Sequence, residues 1–166
     1  MTRKNRRSYR QRRRVIRVKV EAQNLDWLLN ASAGKRALSE GLGAFALSLF
    51  RSIHRVIDEG KAFTPRSGHL QQSIRPDLTQ VSEGKAEIVA EASYAHFVEF
   101  GTRPHLIRPK MRKSLRWATD EGYVFARLVR HPGSKPYPFF RTAIKEGLEE
   151  AKKEFVQAFL QALRRE

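Results

Sequence analysis

The sequence predicts an α+β domain: an antiparallel β-sheet of about four to five strands packed against two long amphipathic α-helices, with a disordered basic arm at the N-terminus. Three observations lead there. Two long stretches repeat apolar residues every three or four positions, the period of a helix face. Several short stretches alternate apolar with polar residues between glycine-containing turns, the period of a half-buried strand. Residues 1–19 hold ten Lys or Arg and no acid.

That first segment supplies +10 of a formal charge of +16 on 166 residues, leaving about +6 for the rest. A block of like charge this dense repels itself and buries little, so residues 1–13 read as an arm and residues 14–166 as one domain. Arg3, Lys4, Arg6, Arg7, Arg10, Arg12, Arg13 and Arg14 are the candidates for contact with DNA phosphates or with an acidic partner. A solubilising tail is the plainer role. The lack of cysteine excludes disulfides and Cys-based zinc sites, and it suits a reducing compartment. With no apolar signal segment and no run of about 18 apolar residues, a soluble protein without membrane contact is expected.

In chain order, VIRVKVE (15–21) sets Ile16, Val18 and Val20 against Arg17 and Lys19, a strand with one buried face. Asn24 can cap a short helix over 24–30, and ASAGK (31–35) reads as a break. The first long helix covers 35–61, with Leu38, Leu42, Phe45, Leu49, Ile53 and Val56 on its stripe. Gly41 and Gly43 lower its propensity and imply a close packing partner, and Gly60 is its stop. His54, one place off the stripe, reads as an ordinary half-exposed histidine.

Thr64-Pro65 and Ser67-Gly68 then punctuate a loop, and residues 75–92 form a hairpin turning at SEGK. A second hairpin turns at Asp120-Glu121-Gly122, its return strand placing Tyr123, Phe125 and Arg127 on one face and Val124, Ala126 and Leu128 on the other. After a loop with three prolines the last helix runs from about Pro138, which suits a first helical turn. Its stripe is Phe140, Ile144, Leu148, Ala151, Phe155, Phe159 and Leu163.

Between the hairpins lies YAHFVEFGTRPH (94–105), whose periodicity is ambiguous. Tyr94, Phe97 and Phe100 recur at threes, as on a helix, while Phe97 and Glu99 alternate, as on a strand. It reads as a strand running into a corner at Gly101, a position that calls for a conformation closed to other residues. Glu99 sits between His96 and His105, which invites a metal or catalytic interpretation. The wider sequence gives that no support. It has no phosphate-loop glycine signature, no HExxH and no nucleophile elbow, and the five histidines are scattered. The expectation is no catalytic residue, no metal and no cofactor, with Glu99 anchoring Arg103, Arg141 or a neighbouring subunit.

Three motifs in register carry a family resemblance. TPRSGHLQQSI (64–74), YAHFVEFGT (94–102) and HPGSKPYPFFRTAI (131–144) are similar, in order and spacing, to signatures of the head–tail joining or tail-completion (tail-terminator-like neck) proteins of long-tailed bacteriophages. The likeness spans roughly residues 15–166. Ser67, Phe140 and Thr142 depart mildly from the common pattern. The resemblance implies a non-catalytic subunit of a homo-oligomeric ring, six-fold, in the virion neck, assembled in the host bacterial cytoplasm. Its partners would be the head connector and tail-tube proteins, with packaged DNA as a further contact for the arm. It also implies that Tyr94, Glu99, Phe100, Gly101, Thr102, Pro138, Phe139 and Arg141 are signature residues that shape the corner and subunit contacts. The alternative is a basic nucleic-acid-binding protein acting through its arginine-rich arm; a small hydrolase using Glu99 or His96 is a distant third.

Overall fold

A computed structural model describes residues 15–23, 32–61 and 67–165. The arm, the expected short helix at 24–30 and the Thr64-Pro65 loop lie outside the described residues. Strand β1 (Ile16–Glu21) forms where apolar and charged residues alternate. It pairs antiparallel with β3 (Lys85–Ala90), placing Ile16 opposite Ala90 and Val18 opposite Ile88. β2 (Ile74–Asp77) pairs with the other edge of β3, giving the order β1-β3-β2. Side chains alternate with period two, so Ile16, Ile74, Ala86, Ile88 and Ala90 share one face, and all five are buried. The link between β2 and β3 is a 3-10 turn, Val81–Glu83, ended by Gly84.

One long helix, α1 (Ser32–Asp58), packs on that face, and a second, α4 (Phe139–Arg164), packs along α1. α1 begins inside the stretch expected to be a break. Ala33 and Ala37 favour helix, and the buried Gly34 and Ala37 are packed there, so tertiary contact overrides the glycine's weak propensity. Leu38, Leu42, Leu49, Ile53 and Val56 are buried as the stripe predicts, each stabilising the fold by roughly 1.5–3 kcal/mol. The helices run in opposite directions, Glu40 meeting Arg165 while Lys61 meets Glu146.

Their closest approach is through small residues. A Cβ at Gly147 would lie 2.5 Å from Ser52 Oγ, and one at Gly41 would lie 2.9 Å from the Phe155 ring. Ser52 Oγ donates to the Ala143 carbonyl at 2.9 Å. The buried line of α4 is therefore Phe140, Ala143, Gly147, Ala151 and Ala162, rotated from the expected stripe, and Leu163 is exposed. Among the described residues no helix is long and apolar enough to cross a membrane.

The expected single sheet of four to five strands is a correction. Two further pairs stand apart from β1-β3-β2: β4 (His105–Ile107) with β7 (Val129–His131), and β5 (Leu115–Thr119) with β6 (Gly122–Ala126). No residue of β4, β5, β6 or β7 is buried. Cations crowd these strands, Arg108 to Lys113 before β5 and Arg116 within it.

Two short helices complete the described elements: α2 (His69–Gln72) and α3 (Ala95–Phe100). α3 is the second correction, because the EFGT corner is the end of a helix and not of a strand. Burying Ala95 and Glu99, four apart, fits a helical face, which period-two alternation would not produce.

Candidate functional site

Glu99 is 1 % exposed, yet it is acidic. Its carboxylate accepts the backbone N–H of Phe140 (2.9 Å), the backbone N–H of Arg141 (3.3 Å) and the Arg141 Nε–H (3.2 Å). Those amides open α4, where the first N–H groups have no partner within the helix. Pro138, the residue before it, supplies no side-chain acceptor. Glu99, 41 positions upstream of Phe140, therefore caps α4 through space, where the helix dipole also favours a negative charge. The Arg141 side chain remains 63 % exposed, its guanidinium 5.4 Å from the centre of the Phe100 ring. Thus the carboxylate sits inside and the cation outside, sheltered by an aromatic ring.

Gly101 follows directly, with φ 70° and ψ −174°, a region essentially restricted to glycine. A Cβ there would lie 2.5 Å from the Ser134 carbonyl oxygen. The approach is reciprocal: Gly133, at φ 93°, has no room for a Cβ against the Thr102 carbonyl. Thr102 and Ser134 exchange backbone N–H···O bonds at 3.1 Å, and their hydroxyls lie 3.0 Å apart. Tyr137 N–H donates to the Val98 carbonyl at 2.8 Å. Of the signature residues, Glu99, Phe100, Gly101, Thr102, Pro138, Phe139 and Arg141 meet at this joint. Phe139 and Phe140 carry it into the core, ring centres 5.0 Å apart. Tyr94 stands off it, its hydroxyl 3.1 Å from His69 Nδ1, tying α3 to α2.

Glu99 is thus paired with Arg141, not Arg103. His96, His105 and His131 border an open cleft of about 990 Å3 that Glu99 does not line. His105 and His131, opposite one another in β4 and β7, stack at 4.9 Å. Among the described residues no group of three or more His, Asp or Glu could hold a metal ion.

The hairpin lobe is the other distinctive region. Cross-strand partners share a face, so Leu115, Trp117, Val124 and Ala126 line one side of β5–β6 and Arg116, Ala118, Tyr123 and Phe125 the other. Trp117 is 42 % and Phe125 63 % exposed. Residues 103–135 hold nine Lys or Arg and only two acids, Asp120 and Glu121, both at the hairpin tip. Outside that segment and residues 1–19 the charges nearly cancel. None of the nine cations is ion-paired among the described residues, whereas the helix pair is laced by Arg51–Glu154, Lys61–Glu146 and Arg165–Glu40. A charge count taken in windows along the folded domain would have located this lobe; an average of +6 concealed it. Gly133 and Ser134 have no comparable sequence signal, since their role depends on the loop they face. No protein-family model matches the chain, and no curated protein or solved structure matches it either.

Proposed function

We propose that the chain is a structural virion protein of a long-tailed phage neck, a subunit of a ring, six-fold by the family resemblance, that joins or completes the tail at the head connector without catalysis. The observation that carries this is the β5–β6 hairpin. Among the described residues it is hydrogen-bonded to no other strand and buries none of its residues, and it still bears Trp117, Tyr123, Val124 and Phe125. A lone two-stranded hairpin is marginal in water, and clustered exposed apolar residues mark a contact surface. The Leu115–Trp117–Val124–Ala126 face is the side offered to a neighbouring subunit.

The joint supports the same reading. Glu99 has its carboxylate engaged by α4, which leaves it unsuited to act as a base and well suited to hold the lobe's loops against the body. Tail tubes incubated with the full chain and imaged by electron microscopy should carry a ring at one end. Bare ends at saturating protein would contradict the assignment.

A further inference from the structure

We infer that the folded domain carries a nucleic-acid surface of its own, separate from the arm: the Arg116 face of the β5–β6 hairpin, built to hold a single strand. The face opens on a groove of about 590 Å3 lined by Arg112, Lys113, Ser114, Arg116 and Phe125, with no acid among them. The Arg116 guanidinium lies 4.3 Å from the Tyr123 ring centre, so one cation is already held on an aromatic surface. Phe125, directly across the ladder from Arg116, leaves its ring open to solvent.

Cations that track phosphates, interleaved with exposed rings on which bases stack, are what single-strand binding requires. A duplex offers phosphates but hides its base faces, leaving Phe125 without a role. Tip-first insertion of the ribbon into a major groove is opposed by Asp120 and Glu121 at the turn. An acidic protein surface would satisfy the cations without calling for an exposed ring between them. The apolar Trp117 face lies on the opposite side, so this surface is independent of the subunit contact proposed above.

The test uses the full chain and a labelled oligothymidylate, with affinity measured by fluorescence anisotropy across a salt series. Exposed positions are changed, and circular dichroism verifies that each variant keeps its fold. R112A/K113A/R116A should reduce the magnitude of the log–log salt slope by about 2, at about 0.7 per phosphate contact on a single strand. Phe125→Ala should weaken binding at least about fivefold with the slope unchanged. K152A/K153A/R164A, which removes the same charge from exposed positions on α4, should leave slope and affinity as they were.

An unaltered slope in the lobe triple variant would assign all binding to the arm and overturn the inference. An equal loss in the α4 variant would reduce it to bulk charge. Phe125→Ala without effect, or duplex bound as tightly as the single strand, would remove the stacking. Polyglutamate bound as tightly as the oligonucleotide would give the face to an acidic protein instead.

Discussion

The helix-and-sheet body and the hairpin lobe use the same residue types in opposite ways. In the body, apolar side chains build a buried core and many cations meet acids: Leu49, Ile53 and Ile88 are nearly inaccessible, and Arg51 pairs with Glu154 at 2.6 Å, while Leu47, Val156, Leu160 and Leu163 stay exposed. In the lobe, apolar side chains stay at the surface and the cations have no acidic partner among the described residues. Hydrophobicity alone does not separate the two regions, since the lobe carries Trp117, Tyr123 and Phe125. Charge balance does. The difference teaches that exposed apolar side chains and unpaired cations fall together in one region, where the proposed subunit contact is placed.

Breaking the joint between them should have the largest effect. Gly101→Ala forces a side chain into a backbone region reserved for glycine and against the Ser134 carbonyl, and should cost about 3 kcal/mol in denaturant unfolding. Glu99→Ala should cost about as much, because the buried Phe140 N–H and its neighbour lose their acceptor. Glu99→Gln keeps the shape and loses the charge at the helix start, for about 1–2 kcal/mol. A cost below about 0.5 kcal/mol for all three would mean that the joint is incidental to the fold.

The lobe should respond in the reverse manner. Trp117→Ser and Val124→Ser act on half-exposed positions, so unfolding of the isolated chain should shift by no more than about 1 kcal/mol. Self-association measured by sedimentation should nevertheless need at least about tenfold more protein, since one lost anchor of about 1.4 kcal/mol is a factor of ten. Unfolding as damaging as that of the joint variants, with association unchanged, would place the face inside the fold.

The smallest effect belongs to His54. Burial holds its pKa below the ordinary value, opposed by Asp58; its Nε2 is buried with no hydrogen-bond partner among the described residues. The unfolded chain then binds a proton more readily than the folded one. Stability from this residue is complete above the unfolded value of about 6.5 and declines as pH falls from there toward the folded value. Between about pH 7 and 5.5 the native state should lose a little stability, and His54→Gln should flatten that slope. An identical slope in the variant would remove His54 as its source.

Periodicity made much of this legible. β1, the long run of α1, the β5–β6 hairpin with its turn at Asp120-Glu121, and the start of α4 beside Pro138 all follow from spacing and turn residues. α3 did not, because six residues make less than two turns. Over so short a span, threes and twos both find matches among Tyr94, Phe97, Glu99 and Phe100. The role of Glu99 was half legible. A buried acid needs a partner, and Arg141 was one of the arginines within the motifs. That the carboxylate also caps α4 was hidden, because capping rules look three residues along the chain and this acceptor comes from 41 away. The division of the strands into three sheets was hidden for a related reason: alternation marks a strand but not which neighbour covers it.

The most direct test of the account is the mass of the full chain in solution, measured by native mass spectrometry or sedimentation over a wide concentration range, alone and with tail tubes. A subunit completed by its neighbours should appear as a closed ring whose mass is a fixed multiple of 19.2 kDa, six-fold by the resemblance, and Trp117→Ser should shift it toward single chains. A species of 19.2 kDa at every concentration in both settings would contradict the account.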